Sequence, residues 1–195
     1  VTGVQTCALP ILARDILDAA ASEHPAFLDA VRLHLVEASA AARARQADAL
    51  GPHAARLVSS SARLPDQMHG ILYANELLDA LPVHGVIGTP GGLAERYVAL
   101  ASDSTPESPR FIEQAGPLSN EAIGRHLASL GVALETGQRA EVNLSALAWL
   151  TRACSALHRG FLVLIDYGHH AGELYSPARG AGTLTAMRGH VVAPD

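Results

Sequence analysis

The run GFLVLIDYGHH, Gly160 to His170, decides the fold. Phe161 to Ile165 (FLVLI) is apolar throughout and of strand length, with no polar alternation. A strand covered on both faces, as in a parallel sheet flanked by helices, reads this way. Asp166 stands at its carboxyl end. Ligands of open parallel sheets bind beyond the carboxyl ends of the strands. The Asp166–His170 loop is therefore expected to line a crevice. Upstream, Asn143 to His158 is predicted to be a helix, with Leu144, Leu147, Ala148, Thr151 and Cys154 on one face. Gly160 is read as its end, and Cys154 as inert packing.

The same alternation recurs toward the amino terminus. Leu12 to Ala21 carries a helical apolar stripe and Pro25 breaks it. Arg32 to Val36 (RLHLV) is a strand candidate ending at Glu37. Ser39 suits the cap of a helix running to Leu50, which Gly51-Pro52 stops. Ala55 to Val58 is a strand candidate followed by a Ser-rich turn. Gly70 to Ala74 (GILYA) is another, feeding NELLDALPV as a short helix or turn that ends near Pro82. His34 and Tyr73 are read as core or lining residues of their strands.

Between these halves the pattern changes. Val83–Gly88 and Glu95–Leu100 read as strands joined by the turn signal TPGG. Ala101 to Pro109 is a polar loop, and Arg110–Glu113 a returning strand. Ser119–Leu130 is a helix closed by Gly131, and Thr183–Met187 a late strand. The fold class is accordingly α/β, a mostly parallel sheet with an inserted α+β subdomain. The expected organisation is a first sheet part over 12–82, an insert over 83–142 and a second sheet part over 143–195, incomplete at both ends.

Three acids close strand candidates: Glu37, Glu76 and Asp166. All three are expected on one crevice. Glu37 could accept ribose hydroxyls of an adenosyl group, or could stabilise the start of the helix after Ser39. Glu76 and Asp79, at i and i+3, would share a face if NELLD were helical. They could clamp a guanidinium or accept a proton. They could equally be the acids that enrich any first helical turn. A metal set of His169, His170 and Glu173 lacks a supporting third His or Cys, so no metal is expected.

Composition narrows the classes. The chain has 195 residues, 49% of them apolar, and a net charge of −5. That composition is globular. It carries no basic tract, which argues against nucleic acid as a partner. No run is apolar for long enough to span a bilayer, so no membrane insertion is expected. The two cysteines, Cys7 and Cys154, form no disulfide framework. A reducing, bacterial cytoplasm fits. Val1 to Ile11 (VTGVQTCALPI) is similar, codon for codon, to the translation of a sequencing-adapter oligonucleotide. It is read as an artefactual leader, Cys7 included.

The stretches LARDIL, RLHLVEAS, ILYANELLDALPVHGV, AERYV, GFLVLIDYGHHAGELYSPARGAGTL and GHVV, in this order, resemble the MidA-like methyltransferases. These are relatives of the mitochondrial complex I assembly methyltransferase. The resemblance implies a Rossmann-like class I fold and S-adenosyl-L-methionine as cofactor. It implies a protein arginine side chain as methyl acceptor, and it allows a homodimer. It places Glu37 at the ribose acid and Asn75 beside the cofactor. Glu76 falls beside the methyl-transfer site, and Asp166 and Tyr167 on the loop after the fifth strand; Asp79 is expected to act with Glu76, and His169 with Asp166 and Tyr167 on the substrate side. The family's GxGRG-type turn has no counterpart here, so the fragment itself is expected to be inactive. A non-catalytic assembly scaffold and a nucleotide-dependent oxidoreductase stay open as alternatives.

Overall fold

A computed structural model of the protein describes residues 8–185, 187–188 and 191–192. The reading of Cys7 lies outside them. The chain divides into two compact units, Val1–Ala80 with Leu150–Asp166, and Leu81–Trp149 with Tyr167–Asp195.

The first unit opens with α1 (Ala8–Glu23), whose first residues, Ala8 to Ile11, belong to the stretch read as a leader. Its inner face buries Leu17 and Ala20. Pro25 does not simply break the pattern: it starts α2 (Pro25–Ala30), where a missing N–H costs nothing. Then come β1 (Leu33–Val36), α3 (Ala40–Arg43), α4 (Gln46–Leu50) and a 3-10 turn over Gly51–Arg56. Ser39 caps α3 as expected, its Oγ accepting from the Ala42 amide at 3.3 Å. The single helix expected from Ser39 to Leu50 is two short ones.

The strand after this turn is β2 (Leu57–Ser61), so the Ser run is strand rather than turn. It pairs in parallel with β1, and that ladder overrides serine's weak strand preference. Ser60 Oγ donates to the buried Gln46 at 2.7 Å. His34 is exposed, not core, with Nδ1 2.8 Å from Ser59 Oγ.

The next strand is β3 (Met68–Asn75). Residues 76–81 form bends and turns with no helix, so Glu76 and Asp79 do not share a helical face.

The second unit is an antiparallel sheet of β4 (His84–Thr89), β5 (Gly92–Leu100), β6 (Phe111–Gly116) and β7 (Arg139–Val142), in the order β6-β5-β4-β7. The TPGG turn joins β4 to β5, with Gly92 at φ 112. β7 was not expected; RAEV is too short and mixed to signal a strand. On one face, α5 (Glu121–Ser129) packs Ile123 and Leu127 against Val86, Ala140, Val142 and Tyr175. Asn120 caps α5, accepting from the Ala122 amide at 2.9 Å. After residue 166 this unit adds α7 (Ala171–Leu174) and the antiparallel pair β9 (Met187–Arg188) and β10 (Val191–Val192). The late strand thus begins at Met187 rather than at Thr183.

Between β7 and α7 in sequence run α6 (Leu144–Ala156) and β8 (Leu157–Ile165). α6 buries Ala153 and Ala156, whereas Cys154 is exposed, so its reading as packing is corrected. Gly160 lies inside β8 and does not end the helix.

β3 and β8 form a two-stranded parallel sheet, Ile71 beside Phe161 and Asn75 beside Ile165. Gly160 sits at φ 139, and a Cβ there would lie 1.7 Å from the Gly70 carbonyl oxygen. Only glycine permits this approach of the two backbones. One face of the pair buries Leu72 and Ala74; the other exposes Ile71, Phe161, Val163 and Ile165.

The architecture is mixed α/β, with parallel pairs in the first unit and an antiparallel sheet in the second.

Candidate functional site

The carboxyl end of the β3–β8 pair gathers Asn75, Glu76, Asp79 and Asp166. The ladder continues one residue beyond β3, since the Glu76 amide donates to the Ile165 carbonyl at 2.8 Å. Glu76 then takes φ 47, the one positive value among described residues that are not glycine. A side chain with a Cβ pays for this conformation, so neighbouring contacts must hold it. Two such contacts are present. Asp166 Oδ2 accepts from the Leu77 amide at 3.1 Å and from the Leu78 amide at 2.7 Å. Two sequence motifs separated by nearly ninety positions are thereby tied together.

Asp79 follows on this turn with an exposed side chain. Partial burial, and then the negative charges of Asp166 and Glu76, push its carboxyl above the ordinary aspartate value. Backbone hydrogen bonds at Ala80 and Asp79 oppose the rise. A carboxylate whose pKa is raised is a stronger base, the direction a proton acceptor needs.

Glu37 lies on the other strand pair of the same unit. Its amide donates to the Ser61 carbonyl at 2.8 Å, extending the β1–β2 ladder. Its Oε1 accepts from the Ser39 amide at 2.7 Å, the contact that the helix-start role calls for. Arg43 donates to the Glu37 and Ala38 carbonyls at 2.6 and 2.8 Å. The segment after β1 is therefore held in place whichever role the carboxylate has.

Tyr167 and His169 belong to the second unit. Tyr167 is 79% exposed. His169 Nδ1 lies 2.9 Å from Glu173 Oε1, and Arg179 contacts both, Glu173 at 2.9 Å and His169 Nε2 at 3.1 Å. The Arg179 hydrogen bond, with the nearby His169, holds the Glu173 carboxyl below its usual range. His169 and Glu173, two of the three residues weighed as a metal set, thus share an ion-paired cluster with Arg179. A concavity of about 640 Å3 at the α1–α2 corner, lined by Glu23, His24, Pro25, Ala26 and Phe27, contains none of the candidate residues.

Sequence reasoning missed the network around Glu95 in the second unit. This buried carboxylate accepts from the Ser119 amide at 2.5 Å, from His84 Nδ1 at 2.8 Å and from Tyr97 Oη at 3.2 Å. Burial alone would raise its pKa; the accepted hydrogen bonds outweigh burial and bring it to about 2. It ties the sheet to the segment leading into α5. An acid inside an apolar strand was the available signal.

Comparison with known proteins adds the following. Residues 11–195 match a family model described as "Putative S-adenosyl-L-methionine-dependent methyltransferase". A native crystal structure of an uncharacterized protein from Burkholderia thailandensis superposes with a TM-score of 0.80 at 30% identity, over 94% of this chain and 47% of that one. A second B. thailandensis structure, bound to S-adenosyl-homocysteine, superposes with a TM-score of 0.78 at 30% identity, over 94% and 46%. The chain is also 36% identical over 110 residues to a UDP-N-acetylmuramate–L-alanine ligase of Renibacterium salmoninarum, covering 49% of this chain and 24% of the ligase. The ligase likeness leaves half of this chain unmatched, whereas the other three take in nearly all of it. The chain spans about half the length of the solved structures and about a quarter of the ligase.

Proposed function

The chain belongs to the S-adenosyl-L-methionine-dependent methyltransferase family that its residues 11–195 match, and from that premise we propose that it carries the acceptor side of a methyl-transfer site. S-adenosyl-L-methionine is the methyl donor in this reading, supported by the S-adenosyl-homocysteine bound to a relative. The observation that carries it is the grouping of Glu76, Asp79 and Asp166 at the carboxyl end of the parallel pair.

A sulfonium methyl is transferred by in-line displacement, so alignment of nucleophile and methyl is the main task of the protein. Glu76 and Asp79 orient a guanidinium acceptor and help it lose a proton. Glu37 and Asn75 serve the adenosyl cofactor. The acceptor is an arginine side chain of a protein, of the respiratory complex I assembly type. The setting is a bacterial cytoplasm; among the described residues no helix is long and apolar enough to cross a membrane. Residues 83–142 are read as a partner-facing insert in the sheet domain.

The test is calorimetry, followed by mass spectrometry of the products formed from labelled cofactor, on a chain of the relatives' full length that carries these residues. Expected are binding of S-adenosyl-L-methionine but not of NAD, at least tenfold weaker binding after Glu37→Ala, and methylated arginine among the products. Binding of NAD alone would reject the reading.

A scaffold role is the second reading, favoured by one observation. Val98, Leu100, Phe111 and Ile112 on β5 and β6 are all exposed. Cofactor binding without methyl transfer to any protein would select it.

A further inference from the structure

We propose that Asp166 is a positioning residue whose carboxylate builds the Glu76 turn rather than contacting the substrate. The inference rests on the methyl-transfer reading for its functional consequence, while the geometry stands apart from it.

Three consecutive amides, Glu76, Leu77 and Leu78, donate to the strand end at Ile165 and Asp166. The first bond is ordinary ladder, to the Ile165 carbonyl. The next two converge on one carboxylate oxygen. Successive amides beside a residue with positive φ form a concavity that suits an anion. In this molecule Asp166 is that anion. Glu76 has no glycine's freedom, so its φ of 47 needs an external hold. The turn is too short to supply one, and residues 76–78 carry no helix to do so.

The consequence is directional. Asp166 fixes where the Glu76 backbone turns away from β3, and hence where its carboxylate points. It also brings a second negative charge toward Asp79. The NELLD and LIDYG motifs are therefore one device, contributed by neighbouring parallel strands. The oxygen that accepts from both amides is taken up by the turn, so in this proposal Asp166 shapes the site instead of filling the substrate-binding role expected from the resemblance.

The test compares amide hydrogen exchange in this chain and in its Asp166→Ala and Asp166→Asn variants. Leu77 and Leu78 should exchange at least about tenfold faster in Asp166→Ala, as expected for loss of charge-assisted hydrogen bonds. The ladder amides of Tyr73 and Val163 should keep their protection. Asp166→Asn, which keeps an acceptor oxygen, should fall between, and it decides the matter if the alanine variant does not fold. Glu76→Gln should leave both amides as they are.

In a chain of the relatives' full length, Asp166→Ala should lower kcat at least tenfold with KM for S-adenosyl-L-methionine within about twofold. Asp166→Asn should recover most of the loss. Unchanged exchange at Leu77 and Leu78 in both variants overturns the clamp and leaves the functional reading intact. Faster exchange with unchanged kcat overturns the positioning role. Absence of cofactor binding by the unsubstituted full-length chain overturns the functional reading and leaves the clamp standing.

Discussion

The parallel pair β3–β8 and the antiparallel sheet β6-β5-β4-β7 solve the same problem of burying strands in different ways. The antiparallel sheet covers one face with its own helix, α5, and closes a core around Val86, Ile123 and Val142. One of its buried acids, Glu95, accepts three hydrogen bonds. The parallel pair buries Leu72 and Ala74 on one face and leaves Ile71, Phe161, Val163 and Ile165 exposed on the other. It spends its polar contacts at its carboxyl end, where Asp166 holds the Glu76 turn. Local packing gives the one region a helix-covered core, although Val98, Leu100, Phe111 and Ile112 on β5 and β6 stay exposed. The other is shaped around a strand end, and its carboxylates are left crowded.

The two regions should respond differently to substitution. Gly160→Ala should have the largest effect. The added Cβ would stand 1.7 Å from the Gly70 carbonyl oxygen, so the parallel ladder must separate. A loss of at least about 4 kcal/mol is expected in denaturant titration, together with loss of protection at Ile71 and Phe161 in hydrogen exchange. A variant as stable as the parent would mean that the pair is not closely registered at its glycines.

Ile123→Ala should come next, costing about 2–5 kcal/mol because it opens a cavity in a filled core. Phe161→Ser, in the exposed face of the parallel pair, should cost less than about 1 kcal/mol despite the larger side chain removed. Reversal of this order would break the comparison.

Acid should act on the antiparallel region first. The folded pKa of Glu95, about 2, lies below its ordinary value of 4.5. A depressed carboxyl contributes stability that is fully present above the ordinary value and is lost as pH falls toward the folded one. About 3 kcal/mol should therefore disappear between roughly pH 5 and pH 2. Glu95→Gln should flatten that part of the stability curve; an unchanged curve would show that another carboxyl governs acid unfolding.

The same contrast explains what could be read in advance. FLVLI, GILYA and RLHLV announce strands by composition, TPGG announces a hairpin, and Ser39 announces a cap, because each signal is local. The Glu76 turn could not be read as built. Its conformation depends on Asp166, far away in sequence, and acids at i and i+3 suggest a helix when that partner is unknown. The serine half of the strand Leu57–Ser61 was hidden because its serines are recruited by the β1 ladder, not by their own preference. Gly160 looked like a helix stop, since its requirement comes from the facing Gly70 backbone. At the candidate site, the acids at strand ends were legible as types. Which one builds the Glu76 turn was not.

Methyl transfer by paired variants of a chain of the relatives' full length tests the central claim most directly. Glu76→Gln alters the parallel strand end, and Glu113→Gln alters the Arg96–Glu113–Arg139 ion group of the antiparallel sheet. With labelled S-adenosyl-L-methionine, Glu76→Gln should lower arginine methylation at least about 100-fold while cofactor affinity stays within about twofold. Glu113→Gln should leave both unchanged. Undiminished transfer by Glu76→Gln would contradict the placement of the chemistry at the end of the parallel pair.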